Sequence, residues 1–456
     1  MSPNETHGPS RYFGWYFYTR GQFDVTVPAG QTRIAVWKGY EYQPIQRKLS
    51  LAAGQSQKVK LQLTRTVPIQ DHGYYSGDPH IHLFRRNQVD DQRALDLIAA
   101  EDIQYGFLLC MNDPSTYTGA MQRQEWPQAK GFEPASVLFH GRYGIASGQE
   151  YRASTYGHIC LLMHEQMVLK DLRVTPDNWP VFSLIGRETR RLGGFSFHAH
   201  GGYAADIFSD YVRQLTDGVE LLQMAHYRGI GLTGWYHILN AGFRFPGLTG
   251  SDFPYNRCLG DCRNYVLTET KPDFREWANK AAKGCRFFTT GPLLMLDVNG
   301  QSPGGAIELS DDTDTELTVN VRVRSEVTPV EYLDLLVNGK TVKSLSIPHD
   351  VGQGCWHELQ HKISKVEPCW ITARAHSLSP TGRPNAEAHT NPVYVYVDGK
   401  KPFNSEDRDW LIGKLDGRIE VATQRMFAGK QQFLEFLRES RKKLCELTGD
   451  EAVGGG

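Results

Sequence analysis

Histidines separated by a single residue occur twice in the sequence, as His80-Ile81-His82 and as His198-Ala199-His200. On a β-strand, residues i and i+2 project from the same face, so either pair can direct two imidazoles toward one metal ion. The pattern has little weight alone, because 16 histidines in 456 residues give about half of one such pair by chance. A hydrogen-bonded, partly buried histidine at a strand end explains each pair equally well.

The elements that must position these histidines follow from the periodicity of the apolar residues. From about residue 70, short apolar strands alternate with helical stretches, which is typical of parallel βα units. The predicted strands are 77–82, 105–110, 157–163, 194–198, 218–224 and 245–249. The predicted helices are 91–101, 181–192, 205–215, 232–241 and 273–283.

Metal-binding residue types lie at or just beyond the carboxyl ends of these strands. His82, His200 and Asp252 follow three of the strands, at the edge where parallel βα folds place their sites. Glu150 and His158 flank the segment before the strand at 157–163 and can join them. The predicted metal ligands are His80, His82, Glu150, His158, His200 and Asp252. Imidazoles and carboxylates without thiolates are typical of catalytic zinc, manganese or iron.

The periodicity also divides the chain into four parts. Alternation with a period of two dominates residues 14–64 and returns after residue 292, and a helical pattern follows residue 404. We therefore expect an α/β chain with a βα barrel flanked by two β-sandwiches and followed by a helical tail. The expected parts are residues 1–67 (sandwich), 68–291 (metal-binding barrel), 292–403 (sandwich) and 404–456 (tail). Residues 111–145 fit neither period and predict an excursion over the site, where substrate specificity resides.

Composition limits the classes of binding partner and the cellular compartment that we expect. A net charge of −1, with 40% hydrophobic and 22% charged residues, is typical of a folded, soluble protein. No basic block interleaves with aromatic residues, which argues against nucleic acid, and no long apolar run predicts a membrane span. Eight scattered cysteines slightly favour a reducing, cytoplasmic setting, provided that no signal peptide has been removed. We expect a small-molecule substrate, and the oligomeric state stays open.

Several segments, taken together and in order, resemble a known family of metalloenzymes. The segments are Gly77-Asp78-Pro79-His80-Ile81-His82, Glu150-Tyr151 with Gly157-His158, the strand ending in His198-Ala199-His200, and Gly250-Ser251-Asp252. They resemble the polymerase-and-histidinol-phosphatase (PHP) superfamily, and specifically its CehA/McbA-like, carbaryl hydrolase-like branch. The resemblance implies a distorted (β/α)7 barrel that holds one to three metal ions and hydrolyses phosphoesters, esters or carbamates.

The chain departs from the family pattern at two places. Many members carry Thr-Asp-His where this chain has 110–113 (Cys-Met-Asn-Asp), and Ser-Asp-x-His where it has 251–254 (Ser-Asp-Phe-Pro). The resemblance therefore implies a reduced site with one or two divalent ions. We expect His80, His82 and Asp252 to bind one ion. His158 and His200 are expected to serve a second, with Glu150 as the bridge.

Other residues near the predicted strand ends have open roles. His226 can donate a proton to a leaving group or bind a metal, and an ordinary polar residue at a rim is an equally good interpretation. Arg228 and Arg244 can bind an anionic substrate group or form surface ion pairs. His198 is expected on the same strand face as His200, and it ranks below His200 as a ligand.

The predicted function is a metal-dependent hydrolase that uses a metal-activated water to cleave an ester, carbamate or phosphoester bond. A dedicated phosphoesterase would need a basic pocket that the sequence does not show. The alternative from another class is a non-catalytic, carbohydrate- or partner-binding protein with a degenerate PHP barrel. Its support is the pair of missing family ligands.

Overall fold

The fold is seen in a computed structural model of the chain. It describes residues 7–10, 14–111, 132–153, 156–168, 182–202, 207–223, 226–255, 258–310, 315–364, 366–378, 384–427 and 429–448. Most of the excursion predicted at 111–145 lies outside these residues.

The N-terminal strands form small separate sheets. They are β1 (His7–Ser10), β2 (Gly14–Tyr16), β3 (Gly30–Val36), β4 (Tyr42–Gln43), β5 (Ile45–Leu51) and β6 (Thr64–Arg65). The pairs β1–β2, β3–β5 and β4–β6 are each antiparallel and two-stranded. Among the described residues this region therefore contains three strand pairs in place of the expected sandwich.

The next segment contains the candidate site residues and most of the short helices. Its strands are β7 (Tyr74–Ile81), β8 (Tyr105–Met111), β9 (Leu138–His140), β10 (Tyr143–Ala153), β11 (Gly157–Leu162), β12 (Phe195–His198), β13 (Gly218–Gln223), β14 (His226–Tyr227), β15 (Gly247–Thr249), β16 (Arg263–Leu267) and β17 (Arg286–Thr289). Its helices are α1 (Gln88–Ala100), α2 (Phe182–Arg191), α3 (Ile207–Asp210), α4 (Gly231–Asn240) and α5 (Phe274–Ala282). Single 3-10 turns occupy Ile69–His72, Glu133–Ser136 and Tyr211–Arg213.

These strands pair in both directions. β7 is parallel to β8, β8 to β10, β12 to β13 and β13 to β15. β10–β11, β11–β12, β16–β7 and β16–β17 are antiparallel. The sheet that presents the site residues is therefore mixed.

The C-terminal region adds nine strands and two long helices. The strands are β18 (Leu293–Val298), β19 (Ala306–Leu309), β20 (Leu317–Arg324), β21 (Tyr332–Val337), β22 (Lys340–Ser346), β23 (His357–Ile363), β24 (Cys369–Leu378), β25 (Pro384–Thr390) and β26 (Val393–Val397), and the helices are α6 (Ser405–Gln424) and α7 (Lys430–Glu446). β18, β20 and β23 form a sheet of their own, whereas β25 pairs with β17 and so joins the site sheet.

The predicted fold class, a distorted (β/α)7 PHP-type barrel between two β-sandwiches, is wrong. The described chain is mostly β-structure, with one large mixed sheet that runs from β7 into the C-terminal strands, and comparatively few helices. The predicted strands and helices themselves lie close to the observed ones. The error arose because apolar periodicity reports which residues form a strand and not the direction in which two strands pair.

Helix α5 fixes the strand that carries His80. The indole nitrogen of Trp277 donates to the carbonyl oxygen of Tyr75 at 3.0 Å, and its ring covers Gly77 so closely that a Cβ at position 77 would overlap it. Trp277 is buried with Phe107 and Phe274 in one apolar cluster. The glycine of the Gly-Asp-Pro-His motif is therefore required by packing.

The C-terminal helices pack on their own chain. Asn404 caps α6, since its side chain accepts from the backbone N–H groups of Glu406 and Asp407. Phe433, Phe436, Leu437 and Leu444 of α7 are buried in the same apolar cluster as α4 residues such as Trp235. Within the described residues, none of the helices has both the length and the apolar character to cross a membrane.

Replacing Gly77 with alanine should destabilise the protein. The added methyl group meets the ring of Trp277, and overpacking of this kind costs about 1–3 kcal/mol. Gly413→Ala is the control, because position 413 is an exposed site in α6 with open space around it. Alanine there should raise the free energy of unfolding by about 0.5–1 kcal/mol. Thermal unfolding of both variants measures the difference; equal melting temperatures would contradict the packing role of Gly77.

Candidate metal centre

The predicted ligands come together although their strands pair in both directions. His80 lies in β7 and His82 directly follows it, Glu150 lies in β10, and His158 lies in β11. His200 follows β12, and Asp252 follows β15. All six contribute to groups of nitrogen and oxygen atoms close enough to share an ion. These buried His, Glu and Asp clusters can therefore hold a metal ion.

Two of these residues have unusual backbone conformations. His200 has φ of 54° and Asp252 has φ of 56°, in the left-handed backbone region that residues other than glycine rarely adopt. Holding a residue in this conformation costs about 1–3 kcal/mol, which the surrounding structure must offset. Such residues concentrate at functional sites. In both cases the turn comes directly after a strand, and it directs the side chain into the cluster.

The first group has the dimensions of a tetrahedral ion site. His80 Nε2 lies 3.1 Å from His82 Nε2, 3.3 Å from a Glu150 oxygen and 3.5 Å from Asp252 Oδ1. His82 Nε2 lies 3.4 Å from the other Glu150 oxygen and 3.3 Å from Asp252 Oδ1. Ligands bound tetrahedrally at zinc distances lie about 3.3–3.4 Å apart. His80, His82 and Asp252 Oδ1 therefore have the spacing of three ligands of such an ion, whereas His80 and His82 face different oxygens of Glu150.

A second group shares Glu150 with the first. Glu150 Oε1 lies 2.8 Å from His158 Nδ1 and 3.6 Å from His200 Nε2. The two histidine nitrogens are 3.0 Å apart. Glu150 is thus the residue common to both groups, which is the position that the sequence predicted for a bridging ligand.

The carboxylates of the cluster are held in their charged form. Burial alone would raise the pKa of Glu150, but His158, His200 and His80 bring it well below its ordinary value. The pKa of Asp252 is also lowered, because His80 and His82 outweigh its burial. Buried anions that face imidazole nitrogens attract positive charge, as protons or as a metal ion.

Glu220 is a part of the site that the sequence prediction missed. Its two carboxylate oxygens each lie 3.0 Å from His80 Nδ1, and both side chains are completely buried. Gly250 leaves the space for this contact, since a Cβ there would lie 2.6 Å from Glu220 Oε1. The available signal was a glutamate inside the apolar strand 218–224, because a buried charge needs a partner.

Other polar groups contact the ligand residues outside the cluster and hold them in position. Gln223 Oε1 lies 2.6 Å from His200 Nδ1, and the carbonyl oxygen of Leu109 lies 3.4 Å from His82 Nδ1. Asp78 Oδ1 accepts from the backbone N–H groups of His80 and Ser251, both at 3.1 Å. Asp78 thereby ties β7 to the loop that carries Asp252.

Two predicted catalytic residues lie beside the cluster. His226 lies opposite Gln223 in the β13–β14 pair, and among the described residues it belongs to none of the groups that can share an ion. Arg228 is exposed, and its backbone packs closely against Gly201. Their catalytic roles stay predictions.

Two further candidates lie elsewhere. The guanidinium of Arg244 lies 4.4 Å from the ring centre of Tyr394. His198 is buried beside Phe182 and Phe245, and burial lowers its pKa to about 3. The expectation that His198 shares a face with His200 is wrong, because the left-handed turn at His200 ends the strand alternation.

Comparisons with known proteins assign neither a family nor an activity. No protein family and no curated protein matches the chain. PsfC from Pseudomonas syringae PB-5123 is similar over 45% of this chain and 88% of its own, with 14% identity and a TM-score of 0.32. A superoxide reductase (neelaredoxin) from Ignicoccus hospitalis is similar over 24% of this chain and 81% of its own, with 11% identity and a TM-score of 0.16. Likenesses this weak carry no argument about the fold or the site.

Glu220→Gln should weaken metal binding while leaving every predicted ligand in place. The amide cannot hold His80 as the carboxylate does, and loss of such a partner lowers metal affinity by about 10–100-fold. The measurement is competition for Zn²⁺ with a chromophoric chelator. Glu326→Gln is the control, since Glu326 is a buried carboxylate paired with Arg324 in the C-terminal region; a similar loss of affinity in both variants would contradict the role of Glu220.

Proposed function

We propose that this chain is a metal-dependent hydrolase that cleaves an ester, carbamate or phosphoester bond. The observation that carries the proposal is the set of separations between 3.1 and 3.5 Å among the donors of His80, His82, Glu150 and Asp252. Nitrogen and carboxylate donors in this arrangement suit Zn, Mn or Fe, in one or two copies. The resemblance of the ligand motifs to CehA/McbA-like hydrolases supports the same class of reaction.

The donor chemistry favours a catalytic centre over a structural one. Structural zinc sites usually recruit several cysteines, whereas the candidate groups of the described residues include a single cysteine, Cys160, which joins Glu220 at His80 Nδ1. When bound, a divalent ion supplies Lewis acidity and lowers the pKa of a bound water toward about 7. A water nucleophile is then available at neutral pH.

One side of the cluster reaches the surface. The side chain of His80 is fully buried, whereas those of Asp252 and His158 are 11% and 13% exposed. Tyr255, whose ring lies 5.4 Å from that of His82, is 61% exposed. This gradient supports substrate entry from the side of His82 and Asp252, with Tyr255 at the rim.

The residues at this side can orient a substrate without further rearrangement. Asp252 and Glu150 are charged acceptors that can hold the proton of an attacking water. Arg152 is half-buried, and its Nε lies 3.7 Å from a Glu150 oxygen. Its positive charge can stabilise the negative charge that develops on the substrate during hydrolysis.

The hydrolase proposal is tested with the full-length protein, dialysed and then supplied with Zn²⁺ or Mn²⁺. We expect hydrolysis of at least one of four substrates: a nitrophenyl acetate, a naphthyl carbamate, and nitrophenyl phosphate mono- and diesters. Chelation should abolish the activity, and the added metal should restore it.

His82→Ala removes a metal ligand and should lower kcat/KM at least about 100-fold, because the metal supplies both the nucleophile and the Lewis acid. His349→Ala is the control, since His349 is an exposed histidine paired with Glu331. A metal-loaded protein that cleaves none of the four substrates would favour the binding-protein alternative. A protein that retains no stoichiometric metal, with His82→Ala unchanged, would exclude the hydrolase.

A further inference from the structure

In each of the four histidines, the group that contacts the ring nitrogen facing away from the cluster determines which nitrogen carries the hydrogen. His80 Nδ1 faces the Glu220 carboxylate at 3.0 Å, and His82 Nδ1 faces the Leu109 carbonyl oxygen at 3.4 Å. Both partners are acceptors, so in each neutral ring the hydrogen lies on Nδ1. The lone pair on Nε2 then points into the first group, as a metal ligand requires.

His200 is held in the same way. Its Nδ1 lies 2.6 Å from Gln223 Oε1, an amide oxygen that accepts the ring hydrogen. The lone pair of His200 Nε2 therefore points toward Glu150 and His158.

His158 differs from the other three histidines, because the group that contacts its Nε2 is a hydrogen-bond donor. Arg152 and His158 lie directly opposite each other in the β10–β11 pair, and Arg152 Nε donates to His158 Nε2 at 3.3 Å. A guanidinium is a donor only, so His158 Nε2 is an acceptor and the hydrogen of the neutral ring lies on Nδ1. That hydrogen points at Glu150 Oε1 and His200 Nε2, which lie 2.8 and 3.0 Å away.

We propose that His158 is a positioning residue outside the coordination sphere and that the centre holds a single divalent ion. A ring nitrogen that carries a hydrogen has no lone pair for a metal. Without His158, the second group keeps only Glu150 and His200, fewer than the three protein ligands of an ordinary catalytic zinc site. This inference rests on the proposed function for the identity of the site and selects one ion from the one or two expected from the sequence.

In this arrangement the hydrogen bonds run in one direction. Arg152 donates to His158, His158 donates to Glu150 and His200, and His200 donates to Gln223. Every step joins a donor to an acceptor. If His158 Nδ1 instead bound an ion, its Nε2 hydrogen would face the Arg152 Nε hydrogen, and two donors would repel each other.

The test is the Zn²⁺ content of the full-length chain after dialysis, measured by elemental analysis, with affinity from chelator competition. We expect one Zn²⁺ in the wild type and one in His158→Ala, with affinity lowered about 10–100-fold by loss of the support to Glu150. His158→Gln keeps a donor and an acceptor and should restore most of that affinity. His82→Ala, which removes a ligand, should abolish stoichiometric binding.

A second measurement reports the tautomer directly. In the metal-free, ¹⁵N-histidine-labelled protein, we expect His158 to show the Nδ1–H pattern in a ¹⁵N–¹H correlation spectrum, assigned by its loss in His158→Gln. Arg152→Met should keep the Nδ1–H form, because the Glu150 carboxylate still accepts from Nδ1. An Nε2–H pattern in the wild type would overturn the assignment.

The outcomes separate this inference from the proposed function. Two Zn²⁺ ions in the wild type and one in His158→Ala would overturn the single-ion centre, even if the protein hydrolyses its substrates. One Zn²⁺ in both, in a protein that hydrolyses nothing, would support the single-ion centre and refute the hydrolase. A wild type that binds no Zn²⁺ refutes both.

Discussion

The buried charge of Glu150 is the interaction on which the rest of the site depends. Its carboxylate lies within 3.7 Å of nitrogens from four histidines and Arg152. Removing a carboxylate from water is costly unless cations or hydrogen-bond donors surround it. The mixed sheet supplies two donors, Arg152 from β10 itself and His158 from the antiparallel neighbour β11.

Rigid supports bring the remaining ligands to this charge. Trp277 holds β7 through Tyr75 and Gly77, and Asp78 connects β7 to the backbone of Ser251. The left-handed turns at His200 and Asp252 complete the cluster. Packing and hydrogen bonds fix each support, and positioned donors of this kind lower the reorganisation that metal binding requires.

Local sequence signals predicted most of the strands near the site, but they missed β10, the strand that carries Glu150. The strands that carry His80, His158 and Glu220 were predicted within three residues of their observed ends, because apolar runs and glycine breaks are local properties. The pairing directions were not predictable in the same way. The antiparallel contacts β10–β11 and β11–β12 depend on which distant segments bury one another, and a wrong direction there produced the wrong fold class.

The sequence by itself determined which residue types reach the ends of the apolar strands: histidines 80, 82, 158 and 200 with carboxylates 150 and 252. Only the tertiary structure decided their surroundings. It buried Glu220 behind His80, turned His200 away from the face of His198, and set Arg152 against His158. Tautomers and charges depend on neighbours that are remote in sequence, and these neighbours become defined only when the sheet forms.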